Sequence, residues 1–370
     1  MKRKLFIITP LVFGAALTFA FFDFLAADAQ TTTPNRQRQI PSPSSTATPR
    51  PVIAAPVISP NASPTPEIEE IIKVDTELVN LNVRVIDRNN RPINNLLQKE
   101  FQIFEDNVPQ PIEFFSKSEV PTNYSLVIDN SGSLRMQLEK VIEAGKIIVN
   151  TNRADDETSI IRFVSSDKVE IVQDFTSSKT DIIDALDNLY TEGGQTAIID
   201  AVYLAAEKIT EYEKSRSDDR KRRALILVSD GEDRDSFYKE PQLFQLLRES
   251  DVQIFTIGFV NELSKEGGFI SKSPQAKAKS FLERLATETG GKSYFPNNIG
   301  ELTTIAGDIA SELRTQYSIG YIPTNDRRDG SFRNIKVQIA DGPNKQKRIA
   351  VTRSGRTANP DGAPGLQKKQ

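Results

Sequence analysis

The sequence predicts an α/β fold: a doubly wound, mostly parallel sheet with helices on both faces, plus a small antiparallel β domain from the flanking segments. Three observations predict it. Between about residues 120 and 316, short runs such as Tyr124–Ile128, Ala224–Val228 and Ile254–Phe259 are almost continuously apolar, as strands covered on both faces are. These runs alternate with stretches whose apolar residues recur at helical spacing. On either side of them, at 71–119 and 317–354, apolar and polar residues alternate in the two-residue rhythm of half-buried strands.

The N-terminal β segment runs through Leu78, Leu81, Val83 and Val85 into the turn cluster Asp87-Arg88-Asn89-Asn90-Arg91-Pro92. Phe101, Ile103 and Phe104 then lead to a second turn at Glu105-Asp106-Asn107, and Ile112, Phe114 and Phe115 follow. In the middle, the strand Tyr124–Ile128 is succeeded by helical spacing at Leu134, Leu138, Val141, Ile142 and Ile148. The tight link Ser165-Ser166-Asp167 makes Ser159–Val164 and Val169–Phe175 antiparallel neighbours. Helices are expected over 182–189 and 197–209, a strand over 224–228, a helix near 243–247 and a strand over 254–259. The helix 276–289 stops at Gly290-Gly291, as C-termini of helices often do, before a short strand at 293–295 and a last helix over 302–313. The C-terminal β segment comprises Tyr317–Ile322, Phe332–Ile339 and Ile349–Thr352. Neither β segment alone can build a core, so the two are expected to pair into one domain.

The ends read differently. Lys2, Arg3 and Lys4, the apolar run Leu5–Phe22 and the small-x-small pattern Ala27-Asp28-Ala29 are those of an export signal over 1–29. The apolar run is also about long enough for an uncleaved anchor, the one route to a membrane the sequence offers. Either way the remainder is exported, to periplasm, cell envelope or medium. Residues 30–70 are rich in Pro, Ser and Thr, with nine prolines in 31–66, and are expected to be a disordered spacer. A second unstructured stretch is expected over 355–370.

Composition narrows the chemistry. The 370 residues include no His, no Cys and no Trp. Imidazole-based hydrolysis and ordinary zinc, copper, haem or iron–sulfur sites are therefore excluded, as are disulfides and a lipid-bearing cysteine. Oxygen ligands remain, and they suit Mg²⁺, Mn²⁺ or Ca²⁺. A formal net charge of −3 gives no case for nucleic acid as a partner.

Three loops concentrate such oxygens: Asp129-Asn130-Ser131-Gly132-Ser133, Gly193-Gly194-Gln195-Thr196 and Ser229-Asp230-Gly231-Glu232-Asp233. The first and third directly follow apolar strands. Ligands in open α/β sheets bind beyond the carboxyl ends of strands where the strand order reverses, which would place Asp129 and Asp230 side by side. Two carboxylates and three hydroxyls fill most of the octahedral shell that Mg²⁺ requires and leave a position open. A partner's carboxylate is the natural ligand to complete it.

Asp129-x-Ser131-x-Ser133, Thr196 and Asp230 in this order resemble the metal-ion-dependent adhesion site of von Willebrand factor type A domains, and the resemblance spans about 120–316. It implies that Ser131, Ser133 and Thr196 ligate Mg²⁺ or Mn²⁺, with Ca²⁺ less suited, and that Asp129 and Asp230 do so directly or through water. It also implies a metal-dependent protein-binding, adhesion-type module rather than an enzyme, with an Asp or Glu of another protein as its ligand and no small-molecule cofactor. The layout, with Phe101–Asp106 before the domain and Tyr317-Ser318-Ile319-Gly320-Tyr321 after it, is similar to the acidobacterial-type exported von Willebrand A family.

Rival readings have less support. Asp129 and Ser131 could simply cap the next helix. Glu232 and Asp233 read as a solvated turn or helix start, and Arg220-Lys221-Arg222-Arg223 as a solvated lead-in to a strand. A haloacid-dehalogenase-type phosphatase needs a second acid where Ser131 stands. A phosphate-binding Gly-rich loop is lacking, and Ser165-x-x-Lys168 has none of its β-lactamase partner motifs. A structural envelope protein whose metal only steadies loops remains the alternative, with a metal-dependent hydrolase behind it.

Overall fold

A computed structural model describes residues 78–117, 120–214, 221–266 and 272–358. The expected signal at 1–29, the spacer at 30–70 and the chain beyond 358 lie outside the described residues. In chain order the elements are β1 (Val79–Ile86), β2 (Phe101–Glu105), β3 (Val108–Gln110), β4 (Phe114–Ser116) and β5 (Thr122–Asp129). Next come α1 (Leu138–Thr151), β6 (Glu157–Phe163), β7 (Val169–Thr176), α2 (Lys179–Asp187), α3 (Ile198–Lys214) and β8 (Arg222–Ser229). Then follow α4 (Glu240–Ser250), β9 (Gln253–Gly258), α5 (Pro274–Thr289), β10 (Ser293–Tyr294) and α6 (Leu302–Arg314). The last four strands are β11 (Tyr317–Tyr321), β12 (Phe332–Ile339), β13 (Ile349–Val351) and β14 (Gly355–Thr357).

The central sheet has six strands in the order β10-β9-β8-β5-β6-β7, parallel except for β7. Alternate residues of its strands feed two cores. Leu126 and Ile128 face α1, α2 and α6, through Val141, Ile148, Ile182, Leu186, Ile305 and Ile309. Val127, Ile161 and Leu225 face α3, α4 and α5, through Val202, Leu243, Leu247 and Leu282. Complete burial of each such side chain is worth about 1.5–3 kcal/mol relative to exposure, so covering both faces is what selects this architecture. Helix α5 ends at Gly290, where φ is +78°, a left-handed cap that costs glycine little.

The flanking segments form two four-stranded antiparallel sheets, β13-β1-β11-β4 and β14-β12-β2-β3. Each sheet takes strands from both ends of the chain, and their inner faces share one core of Val79, Leu81, Val83, Phe101, Ile103, Tyr317, Ile319 and Val337. The two segments do pair into one sandwich. The turn after β2 has positive φ at Asp106 (49°) and Asn107 (66°), the geometry of a tight hairpin. The sequence motifs meet here. Tyr317 Oη donates to Ile93 O and accepts from Leu96 N, both at 2.9 Å, while Tyr321 Oη donates to the buried Glu105 carboxylate at 2.6 Å.

Two sequence expectations are corrected. Residues 355–357 are not part of an unstructured tail: β14 pairs with β12, and its Arg356 donates to Glu105 at 2.9 Å in an almost fully buried ion pair. Nor is Arg222, within the described part of the basic run (221–223), part of a solvated lead-in. Arg222 is 4% exposed, and its guanidinium donates to Leu313 O (2.8 Å), Gln316 O (2.9 Å) and Ser318 Oγ (3.1 Å). A cation at the C-terminal end of α6 satisfies carbonyls that the helix leaves without donors, and here it also joins the central sheet to β11. Burial pulls the Arg222 guanidinium down to about 10. Among the described residues, no helix is long and apolar enough to cross a membrane.

Candidate metal centre

Strands β5 and β8 are parallel neighbours, with Tyr124 opposite Ala224 and Ile128 opposite Val228. From them the sheet grows in opposite directions, through β6 and β7 on one side and β9 and β10 on the other. Their carboxyl ends therefore flank the point where strand order reverses, the place such sheets bind ligands. Asp129 is the last residue of β5, and Asp230 follows the last residue of β8.

The Asp129 side chain is fully buried. Its Oδ1 accepts from Ser131 N at 2.9 Å and its Oδ2 accepts from Ser229 Oγ at 2.7 Å. Ser131 is buried, Ser133 is exposed, and their hydroxyl oxygens lie 2.9 Å apart. Neither Ser131, at the start of a tight turn, nor Gln137, at the start of α1, makes a side-chain cap. The capping alternative therefore does not account for this loop.

Thr196 is buried and is tied to the third loop through its backbone, its carbonyl accepting from Arg234 N (2.8 Å) and Asp235 N (3.2 Å). Asp230 is also buried, and its Oδ1 accepts from Glu232 N at 3.0 Å. Between Asp230 and Glu232 the chain turns at Gly231, whose φ of +84° is left-handed. A Cβ there would meet Leu282 Cδ1 at 2.9 Å and Ala278 Cβ at 3.0 Å, so α5 closes over this turn only because the residue is glycine.

Burial pushes the Asp129 carboxyl up to about 6. The hydrogen bonds from Ser131 and Ser229 oppose the rise, and the negative charge of Asp230 adds to it. Neither aspartate takes part in an ion pair among the described residues. Among the same residues, no group of three or more His, Cys, Asp or Glu side chains is placed to hold a metal ion. Two buried, neighbouring carboxyl groups without a cationic side chain, beside a pair of converging hydroxyls, are a donor set that suits a hard cation. The residues fit the group the sequence expects.

The structure thus joins Asp129, Ser131 and Ser133 in one hydrogen-bonded cluster, sets Asp230 close enough for its charge to act on Asp129, and ties the Thr196 backbone to the third loop. Sequence reasoning passed over the residues that hold these loops. Asn130 is fully buried: its N donates to Phe163 O (2.9 Å), its carbonyl accepts from Glu192 N (2.8 Å), and its Nδ2 donates to Tyr190 O (2.7 Å). Ser229, a hydroxyl closing the apolar run Ala224–Val228, was a legible signal for the partner of Asp129. Asp233 is not merely a solvated turn. Its Oδ1 accepts from Ile199 N (3.1 Å) at the start of α3 and from Ser236 Oγ (2.5 Å). The buried Asp200 in turn accepts from Phe237 N (2.8 Å), Tyr238 N (2.9 Å) and Ser166 Oγ (2.5 Å). Ser165 and Lys168 have separate partners, Asp167 and Glu192, so they form no catalytic couple.

Residues 125–308 match the family model described as the von Willebrand factor type A domain. A solved von Willebrand factor type A protein from Catenulispora acidiphila is 11% identical, with 76% of this chain and 75% of that one covered at a TM-score of 0.42. An aerotolerance-related membrane protein from Bacteroides fragilis NCTC 9343 is 18% identical, with 52% and 98% covered at 0.39. Proximal thread matrix protein 1 from the mussel byssus, solved with a zinc-occupied MIDAS motif, is 19% identical, with 52% and 48% covered at 0.41. With its six-stranded doubly wound sheet and its oxygen-bearing loops at the switch point, the segment 125–308 of this chain is a von Willebrand factor type A domain.

Proposed function

We propose that this chain is an exported, metal-dependent protein-binding module of adhesion type. The observation that carries the reading is the pair Asp129 and Asp230: buried, adjacent, without a cationic side chain and beside the Ser131 and Ser133 hydroxyls. Asp129, Ser131, Ser133, Thr196 and Asp230 would hold the cation, with Mg²⁺ or Mn²⁺ suited better than Ca²⁺ to so compact an oxygen set. When bound, the cation supplies an open Lewis-acidic position for a carboxylate oxygen of an Asp or Glu on a partner protein. The remaining residues orient: Asn130 fixes the first loop, Ser229 fixes the Asp129 carboxylate, and the Thr196 carbonyl locks the second loop to the third.

Von Willebrand A domains are in general protein-interaction modules, and this chain has no histidine to serve as a general base beside the site. That favours holding a partner over cutting one. Export rests on the signal-like N-terminus, with periplasm, cell envelope or medium as the destination.

The test uses ten-residue peptide pools with a central Glu, and a matched pool with Gln in its place, presented to the full chain by interferometry. Binding of the Glu pool in Mg²⁺, lost both in EDTA and in the Gln pool, is the expected result. Binding that ignores either change overturns the reading.

A further inference from the structure

Among the large apolar side chains of the described residues, the three most exposed are Met136 (80%), Phe237 (76%) and Tyr190 (54%). Single exposed apolar groups are ordinary on a protein surface. Their placement here is not. Met136 stands three residues after Ser133 in the connection from β5 to α1. Tyr190 stands in the connection from α2 to α3, which carries Thr196, and Phe237 in the connection from β8 to α4, seven residues after Asp230. Each loop that brings a ligand candidate also brings one uncovered apolar side chain.

Tyr190 and Phe237 are held in place, and so is the backbone that carries Met136. The turn bearing Met136 is closed by Leu134 N to Ser131 O (3.2 Å) and Gln137 N to Leu134 O (3.0 Å), and Gln137 Nε2 donates to Glu262 at 2.8 Å. The Tyr190 carbonyl is gripped by Asn130, and the Arg162 guanidinium lies 4.4 Å from the ring centroid. Phe237 is pinned by its backbone to the buried Asp200, and its ring meets Tyr238 edge-on at 5.4 Å. Tyr238 is itself stacked on Tyr203 at 4.0 Å, with 7° between the planes. Anchors fixed before binding lose little conformational freedom on binding, and aromatic anchors dominate interface energies.

We infer that Met136, Tyr190 and Phe237 form an apolar rim that selects the partner: an extended protein segment whose Asp or Glu is flanked on both sides by bulky apolar side chains. The inference rests on the metal-dependent reading above and adds the class of sequence that the site accepts. A carboxylate alone would be satisfied by the cation position. The rim supplies affinity only to a ligand that buries apolar surface beside its acid.

The test compares two ten-residue pools with a central Glu, one flanked by Leu, Ile and Phe and the other by Ser, Asn and Gly, on the full chain in Mg²⁺. The wild type is expected to bind the apolar-flanked pool at least about tenfold more tightly. The triple variant Met136→Ser, Tyr190→Ser, Phe237→Ser should lose that preference while its Mg²⁺ titration matches the wild type. Equal binding of both pools by the wild type, or an undiminished preference in the variant, overturns the rim and leaves the metal reading standing. Self-association of the wild type that the variant loses, without any flank preference, overturns it in favour of a second copy as occupant. Absence of both Mg²⁺ and peptide binding overturns the metal reading and the rim with it.

Discussion

Asp129→Ala is expected to abolish the thermal stabilisation that Mg²⁺ gives the wild type while leaving the metal-free fold intact. A cation at one hundred times its dissociation constant adds about 2.7 kcal/mol to a protein that binds it only when folded. For a domain of this size that raises the melting temperature by roughly 5–10 °C. The variant lacks a buried carboxylate that accepts from Ser131 N and Ser229 Oγ, so it should lose the whole of that increment. In EDTA its stability should stay within about 1 kcal/mol of the wild type, because the lost hydrogen bonds are offset by relief of an unfavourable buried charge. Burial holds that carboxyl up to about 6, which is the sign of such a cost. Scanning calorimetry of both proteins, with and without Mg²⁺, reads both quantities. A variant that melts far below the metal-free wild type would instead favour the alternative in which the site serves only to hold its loops together.

The second large effect lies far from the metal. Glu105 is 2% exposed and accepts from Tyr321 Oη and from Arg356 Nε. Glu105→Ala leaves the buried Arg356 guanidinium without that carboxylate and the tyrosine hydroxyl without its acceptor. Breaking a buried pair from one side typically costs about 3–5 kcal/mol, a large share of a total of about 5–15. Denaturant unfolding should show this loss. The double variant Glu105→Met, Arg356→Met should recover most of it, since paired replacement removes both charges together. A loss below about 1 kcal/mol in Glu105→Ala would show that β14 is not held by this contact.

Much of this was legible because it is local. The apolar runs at 124–128, 224–228 and 254–259 lie within β5, β8 and β9 or extend at most one residue beyond, because a strand covered on both faces cannot hide its composition. The site was legible for a related reason. Its oxygens sit at fixed offsets from strand ends, so that Asp129 closes β5 and Asp230 follows β8. What escaped depends on distant partners. Gly355–Thr357 is polar and short; it becomes a strand by pairing with Phe332–Asn334 of β12, and its Arg356 is buried only because Glu105, about 250 residues earlier in the chain, receives it. Arg222 looked solvated because Arg-Lys-Arg-Arg usually is; only the end of α6, some 90 residues later, supplies the carbonyls that bury it. Asn130 and Asp200 escaped for the same reason, since each organises backbone groups of loops that the sequence keeps apart.

The central claim is that Asp129, Ser131, Ser133, Thr196 and Asp230 form a binding site for a divalent cation. Calorimetric titration of Mg²⁺, and separately of Mn²⁺, into EDTA-stripped full-length chain measures it most directly. The expected result is saturable binding of one ion per chain, absent from Asp129→Ala. No binding of either ion, or equal binding by the wild type and that variant, would contradict it.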